Sequence, residues 1–164
     1  MDKTTLLTAA DFTRARLLGS LDTIEKSGQD VAKVLAWRPG AGRAHIAWQA
    51  MHCAATHDKY VNVALRGGQP KDPALVQNFG GGSTPSDTNI PTLPAIRQAL
   101  EVHFAGFKDF INAMSPGDAA KVIVAGGKQR SIGESIILLT WHEAHHQGQI
   151  HITWNMYKAA HGVV

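Results

Sequence analysis

The stretch His142-Glu143-Ala144-His145-His146 is where this sequence is richest in side chains that can do chemistry. Imidazoles at i and i+4 of a helix stack about 6 Å apart along the axis and converge on one point. That is how a helix offers two ligands to one divalent metal ion. At 100° per residue, His142 and His146 fall near the middle of an apolar face made by Ile132, Ile136, Leu139, Ile150, Met156 and Tyr157. Ser135, Gln149 and Thr153 lie close by, whereas Thr140, Gln147, His151, Asn155 and Lys158 cluster on the opposite side. Two imidazoles on a core face are costly without partners. They are either hydrogen-bonded core residues or metal ligands. A second histidine-bearing helix favours the metal. There His52 shares a stripe with His45, Thr56 and Val63, while His57 points away. Three inward histidines on two helices make a metal site with an open position for water or substrate. His45, near the helix start, reads as a rim or capping residue.

His142 to His146 also matches HExxH, the zinc-protease signature. The extended form needs a glycine three residues beyond the second histidine and a histidine three beyond that; here Gly148 and His151 each come one residue early. No Asp or Glu follows Glu143, so a downstream carboxylate ligand has no source. The protease reading is therefore set aside. Candidates for supporting the metal or moving a proton are Glu143, His145, Gln149 and Tyr60. No residue stands out as the general base. Cys53 lies about 100° off the His52 stripe and reads as a buried structural thiol. Trp48 and Trp141 read as packing residues.

Four helical segments must position these residues. The first runs from about Ala9 to Ser27, with Phe12, Leu17, Leu18, Leu21 and Ile24 at helical spacing. A short turn over DVAKVLAW then precedes the break at Trp37-Arg38-Pro39-Gly40. The second runs from about Arg43 to Leu65. The third starts near Thr92 and carries Leu93, Ile96, Leu100, Phe104, Phe107, Ile111 and Met114 on one stripe, ending at Ser115-Pro116-Gly117. The fourth begins near Ser131, with Glu134 as capping-box partner, and runs to about Lys158. KVIVAGGKQR between them reads as a short extended piece with a Gly-Gly turn. Gly67 to Pro91 reads as a long loop, functional or mobile, whose length permits a parallel crossover. Four such helices predict an all-α four-helix bundle, one domain over residues 1–164.

Composition bounds the rest. With 164 residues, 44% hydrophobic and 18% charged, the chain is too apolar and too weakly charged to be disordered. Its one cysteine excludes an intramolecular disulfide and a thiolate cluster, so a metal must rest on imidazole. No apolar run approaches the roughly 20 residues needed to cross a bilayer. The first residues lack a long apolar segment, so no signal peptide is expected. These features predict a cytoplasmic protein with no membrane partner. Net charge is +3 and the pI about 9.2, but the basic residues are scattered without a run, which argues against nucleic acid.

Trp141 to Ile150 (WHEAHHQGQI) resembles the last-helix signature of the DinB/YfiT-like superfamily. Trp37-Arg38-Pro39-Gly40 followed by HIAWQAMHCAATH resembles its WxP turn and second helix, and GGKQRSIGESI its approach to the last helix. The resemblance covers most of the chain but not Gly67 to Pro91. It implies a bundle of up-down-down-up order, a homodimer, and a divalent metal, zinc or nickel, held by His52, His142 and His146. It also implies a metal-dependent enzyme of thiol S-transferase or hydrolase type, acting on a small molecule such as a low-molecular-weight thiol. The alternative is a non-catalytic metal-binding stress-response protein in which the ion stabilises the bundle. One departure stands out: the family's usual arginine before Gly148 is Gln147 here.

Overall fold

A computed structural model of the chain describes residues 2–163, and they are mostly helical. Helix α1 (Lys3–Glu25) starts earlier than its apolar pattern suggests because Asp2 caps it, accepting from the Thr4 and Thr5 amides. Leu6, Ala10, Arg14, Leu17, Leu21 and Ile24 form its buried stripe. Phe12 is not part of that stripe. It stands about 140° around from Leu17 and is 69% exposed. Helix α2 (Val31–Ala36), capped by Asp30, leads to the Trp37-Pro39 break.

Helix α3 (Ile46–Asp58) is capped by His45, whose Nδ1 accepts from the Trp48 amide. It runs without interruption into a π-helical segment, Lys59–Leu65. The expected loop from Gly67 to Pro91 contains a helix, α4 (Pro73–Phe79). Asp72 caps it and proline occupies its first turn, a start signal that only the short length of the helix obscured. Helix α5 (Leu93–Ala113) buries Leu93, Ile96, Leu100, Phe104, Phe107 and Ile111, as its spacing predicts. Strands β1 (Val122–Ala125) and β2 (Lys128–Ser131) form an antiparallel hairpin. Its turn is Gly126-Gly127, with φ of 60° and 75°, values that a side chain would strain. The capping box of Ser131 and Glu134 then opens helix α6 (Ile132–His161), which ends on left-handed Gly162.

Helix α1 packs on α5 and α6, and α3 packs on α5 and α6. Their apolar faces form two clusters. One gathers Leu17, Leu21, Met51, Ile96, Leu100 and Ile150; the other Leu6, Val61, Phe107, Ile111, Ile136 and Leu139. Along every long helix, buried polar side chains sit where one cluster gives way to the other: Arg14 on α1, His57 and Asp58 on α3 with His52 just over a turn before them, His103 on α5, Glu143 and His146 on α6. The core is thus split by a polar layer. No described helix is long and apolar enough to cross a membrane.

Candidate metal centre

Helices α3 and α6 bring His52, His142 and His146 together in that layer. One ring nitrogen from each lies within 4.8 Å of the others, and the Nε2 atoms of His52 and His142 are 3.1 Å apart. The partners of the other ring nitrogens decide which lone pairs are free. His52 Nδ1–H donates to the Phe79 carbonyl at 2.5 Å. A carbonyl can only accept, so the proton is on Nδ1 and the Nε2 lone pair faces His142. His146 Nδ1–H donates to Gln49 Oε1 at 3.4 Å. The Gln49 amide is itself oriented by the Ala44 carbonyl. Such partners fix the tautomer and aim of a metal-binding imidazole.

Burial keeps these rings neutral. It lowers His52 from its ordinary value. Burial, followed by repulsion from His52 and His145, pushes His142 down to about 4. Burial and the neighbouring His142, His52 and His145 push His146 down to about 3. Three neutral nitrogen donors with no competing proton near neutral pH suit a divalent ion of borderline softness. Trp48 stacks face to face on His52, with centroids 4.6 Å apart and planes 9° apart. On the outer side His52 and His142 form part of the wall of a cavity of about 490 Å³, shared with Thr56, Tyr60 and Val124.

The residues expected to assist the histidines are placed differently from one another. Glu143 turns to the far side of the polar layer. Its two carboxylate oxygens accept from Arg14 Nε at 2.6 Å and Nη2 at 2.8 Å. Arg14 also donates to the Leu100 carbonyl and lies over the Phe104 ring. His57 Nε2 lies 3.6 Å from Glu143 Oε2, and burial together with Arg14 holds its pKa well below the usual value. Glu143 therefore cannot act as the base of an HExxH site. His145 is exposed, stacks on Trp141 and takes a 2.9 Å hydrogen bond from Gln149. These two partner each other and border the cluster, the His145 ring packing edge to face on His146 with centroids 5.2 Å apart. Tyr60 is on the cavity wall.

Other readings need correcting too. The buried stripe of α6 runs through Ile136, Leu139, Glu143, His146 and Ile150, so Glu143 is at its centre and His142 on its half-buried flank. Trp141 is 58% exposed and Met156 also faces outward. Other placements agree with expectation: Cys53 is buried, and burial raises its pKa well above the thiol range. His45 donates to the Ser86 carbonyl, His103 faces Asp58, and His151 and His161 are exposed. Sequence reasoning missed Arg14, Gln49 and Phe79. Arg14 had a signal: it follows Ala10 by four positions and precedes Leu17 by three, on the apolar stripe. The Phe79 carbonyl had none.

By fold and site this is a helical protein whose imidazoles, drawn from two helices, converge beside a cavity and could hold a metal ion. The model of the DinB superfamily matches residues 9–150, a span containing all three histidines, and the chain belongs to that superfamily. No curated protein matches it.

Proposed function

We propose that the chain is a four-helix bundle of up-down-down-up order that binds zinc or nickel through His52, His142 and His146. In this reading it is a metal-dependent transferase or hydrolase acting on a small molecule, with a low-molecular-weight thiol as first candidate. The helix order is supported by cross-helix pairs. Arg14 meets Glu143 and Ser20 meets Gln147, so α1 and α6 run the same way. Arg97 meets Asp22 and Lys3 meets the Met114 carbonyl, so α5 runs against α1. Gln49 meets His146 and His52 meets His142, so α3 runs against α6.

The observation that carries the functional reading is the convergence of three neutral imidazoles, two of which, His52 and His142, line a cavity. A divalent ion held there would act as a Lewis acid, lowering the pKa of a water or thiol in its open position. The chain's own part is to aim the ring nitrogens through Phe79 and Gln49 and to admit substrate from the cavity side. An ion that served only as a staple would be expected in a closed site, and the adjoining cavity favours catalysis. A homodimer is supported by the outward stripe of Ile137, Trp141, Ile152 and Met156 on α6.

Metal analysis of protein purified without a histidine tag tests the site. Wild type should carry close to one ion per chain, and His52→Ala and His146→Ala should carry none. Unchanged content in both variants sinks the assignment. A thiol-transfer screen with and without chelator then tests the chemistry. Turnover that the chelator does not abolish would refute the metal-dependent reading.

A further inference from the structure

We propose that the cavity beside the three histidines takes a small molecule with an apolar body and a carboxylate, the carboxylate held at the cavity mouth by Lys59. The inference rests on the reading of this cavity as the substrate site. Three observations carry it.

The first is the wall contributed by the second long helix. His52 and Thr56 are followed there by Lys59 and Tyr60, then by Val63 and Ala64. Ala55 lines it beside Thr56 as well, so one continuous face of the helix forms this wall. From Lys59 to Leu65 this wall is π-helical. π-Helical turns are rare and recur at functional sites.

The second is the opposite wall, made by the hairpin. The Tyr60 hydroxyl lies 2.7 Å from where a Cβ on Gly126 would sit. A side chain at this turn would push the Tyr60 hydroxyl aside, and the φ of 60° at Gly126 also favours glycine. Val124 continues the wall as an apolar surface.

The third is charge. Lys59 is exposed and makes no ion pair among the described residues, and no Asp or Glu lines the cavity. Arg130, whose Nη1 lies 3.9 Å from the same Gly126 Cβ position, is bound to the Ala125 carbonyl and adds a second positive charge. A cavity with Lys59 on its wall, Arg130 behind the hairpin turn that borders it, apolar side chains and no acid selects an anionic ligand. Seven residues of helix separate His52 from Lys59, about 10 Å at 1.5 Å per residue. A ligand about eight carbons long spans that distance, its carboxylate at Lys59 and its other end toward His52 and His142.

Titration calorimetry of chelator-treated protein with octanoate and with 1-octanol isolates this claim from the metal. Wild type should bind octanoate about ten-fold more tightly than octanol, the scale of one charge-assisted contact. Lys59→Met should bring octanoate down to octanol's affinity and leave octanol unchanged, and Lys59→Arg should retain the preference. Equal affinities in wild type, absence of binding by both probes, or a preference that survives in Lys59→Met would overturn the proposal. So would a preference that appears only after metal loading and persists in Lys59→Met, because the anion would then sit at the histidines. Metal content measured on the same preparations separates the two readings. Wild type that takes up no metal yet prefers octanoate refutes the metal site alone.

Discussion

Two polar clusters share one layer of the core and draw on neighbouring residues of α6, yet they are built on opposite principles. Around Glu143 every strong group is answered. The carboxylate takes two bonds from Arg14, and Arg14 gives a third to a backbone carbonyl. Around His142 and His146 the outer nitrogens of His52 and His146 donate to Phe79 and Gln49, and in the absence of an ion the inner nitrogens have only one another, His142 Nε2 meeting His52 Nε2 at 3.1 Å. The first cluster is complete as it stands and can only hold helices together. The second has donor capacity directed at a point the protein does not fill with its own atoms. That difference separates a structural polar cluster from a candidate ligand site more reliably than histidine content does.

The largest effect should come from unbalancing the closed cluster. Arg14→Met leaves a buried carboxylate unpaired and should cost about 3–5 kcal/mol in urea unfolding. The double variant with Glu143→Leu should recover most of it. A loss below about 1 kcal/mol would show that the pair contributes little.

Acid should act next, through the open cluster. A buried imidazole with a depressed folded-state pKa binds its proton more readily in the unfolded chain. Its contribution to stability is complete above about pH 6.5, and it declines as the pH falls toward about 4 for His142 and about 3 for His146. Metal-free protein should therefore lose stability between pH 7 and 5. His146→Gln should remove about 2 kcal/mol of that pH dependence. A pH slope identical to wild type would contradict the burial argument.

Gln49→Leu should weaken metal binding about ten-fold while the urea midpoint changes little, because only the aim of His146 is lost. Competition with a chromogenic chelator would measure it. The smallest effect is expected for His145→Ala. Its exposed ring is bound to Gln149, and metal stoichiometry should match wild type. A drop would enlarge the open cluster to include it.

Much of this was legible in the sequence because period and capping are local properties. The α5 stripe, the Ser131–Glu134 box and the Gly-Gly hairpin depend on residues a few positions apart. His52 was legible for a related reason, since it shares a helix position with an apolar stripe. Pairing between helices was not. Glu143 was absent from the expected inward face because the angles were counted around a stripe that included Met156, which faces outward. The presence of Arg14 in an apolar register was the missing cue. Helix α4 was hidden by its length, seven residues amid glycine and proline, and with it the carbonyl that orients His52.

That carbonyl has an evolutionary consequence. Because the group that orients His52 is main chain, no substitution at position 79 deletes it, and drift in side-chain identity there leaves no trace of its role. What descendants of this sequence must preserve is the path of the chain past His52. The constraint falls on insertions and deletions between α4 and α5, and a search for invariant residues would overlook it.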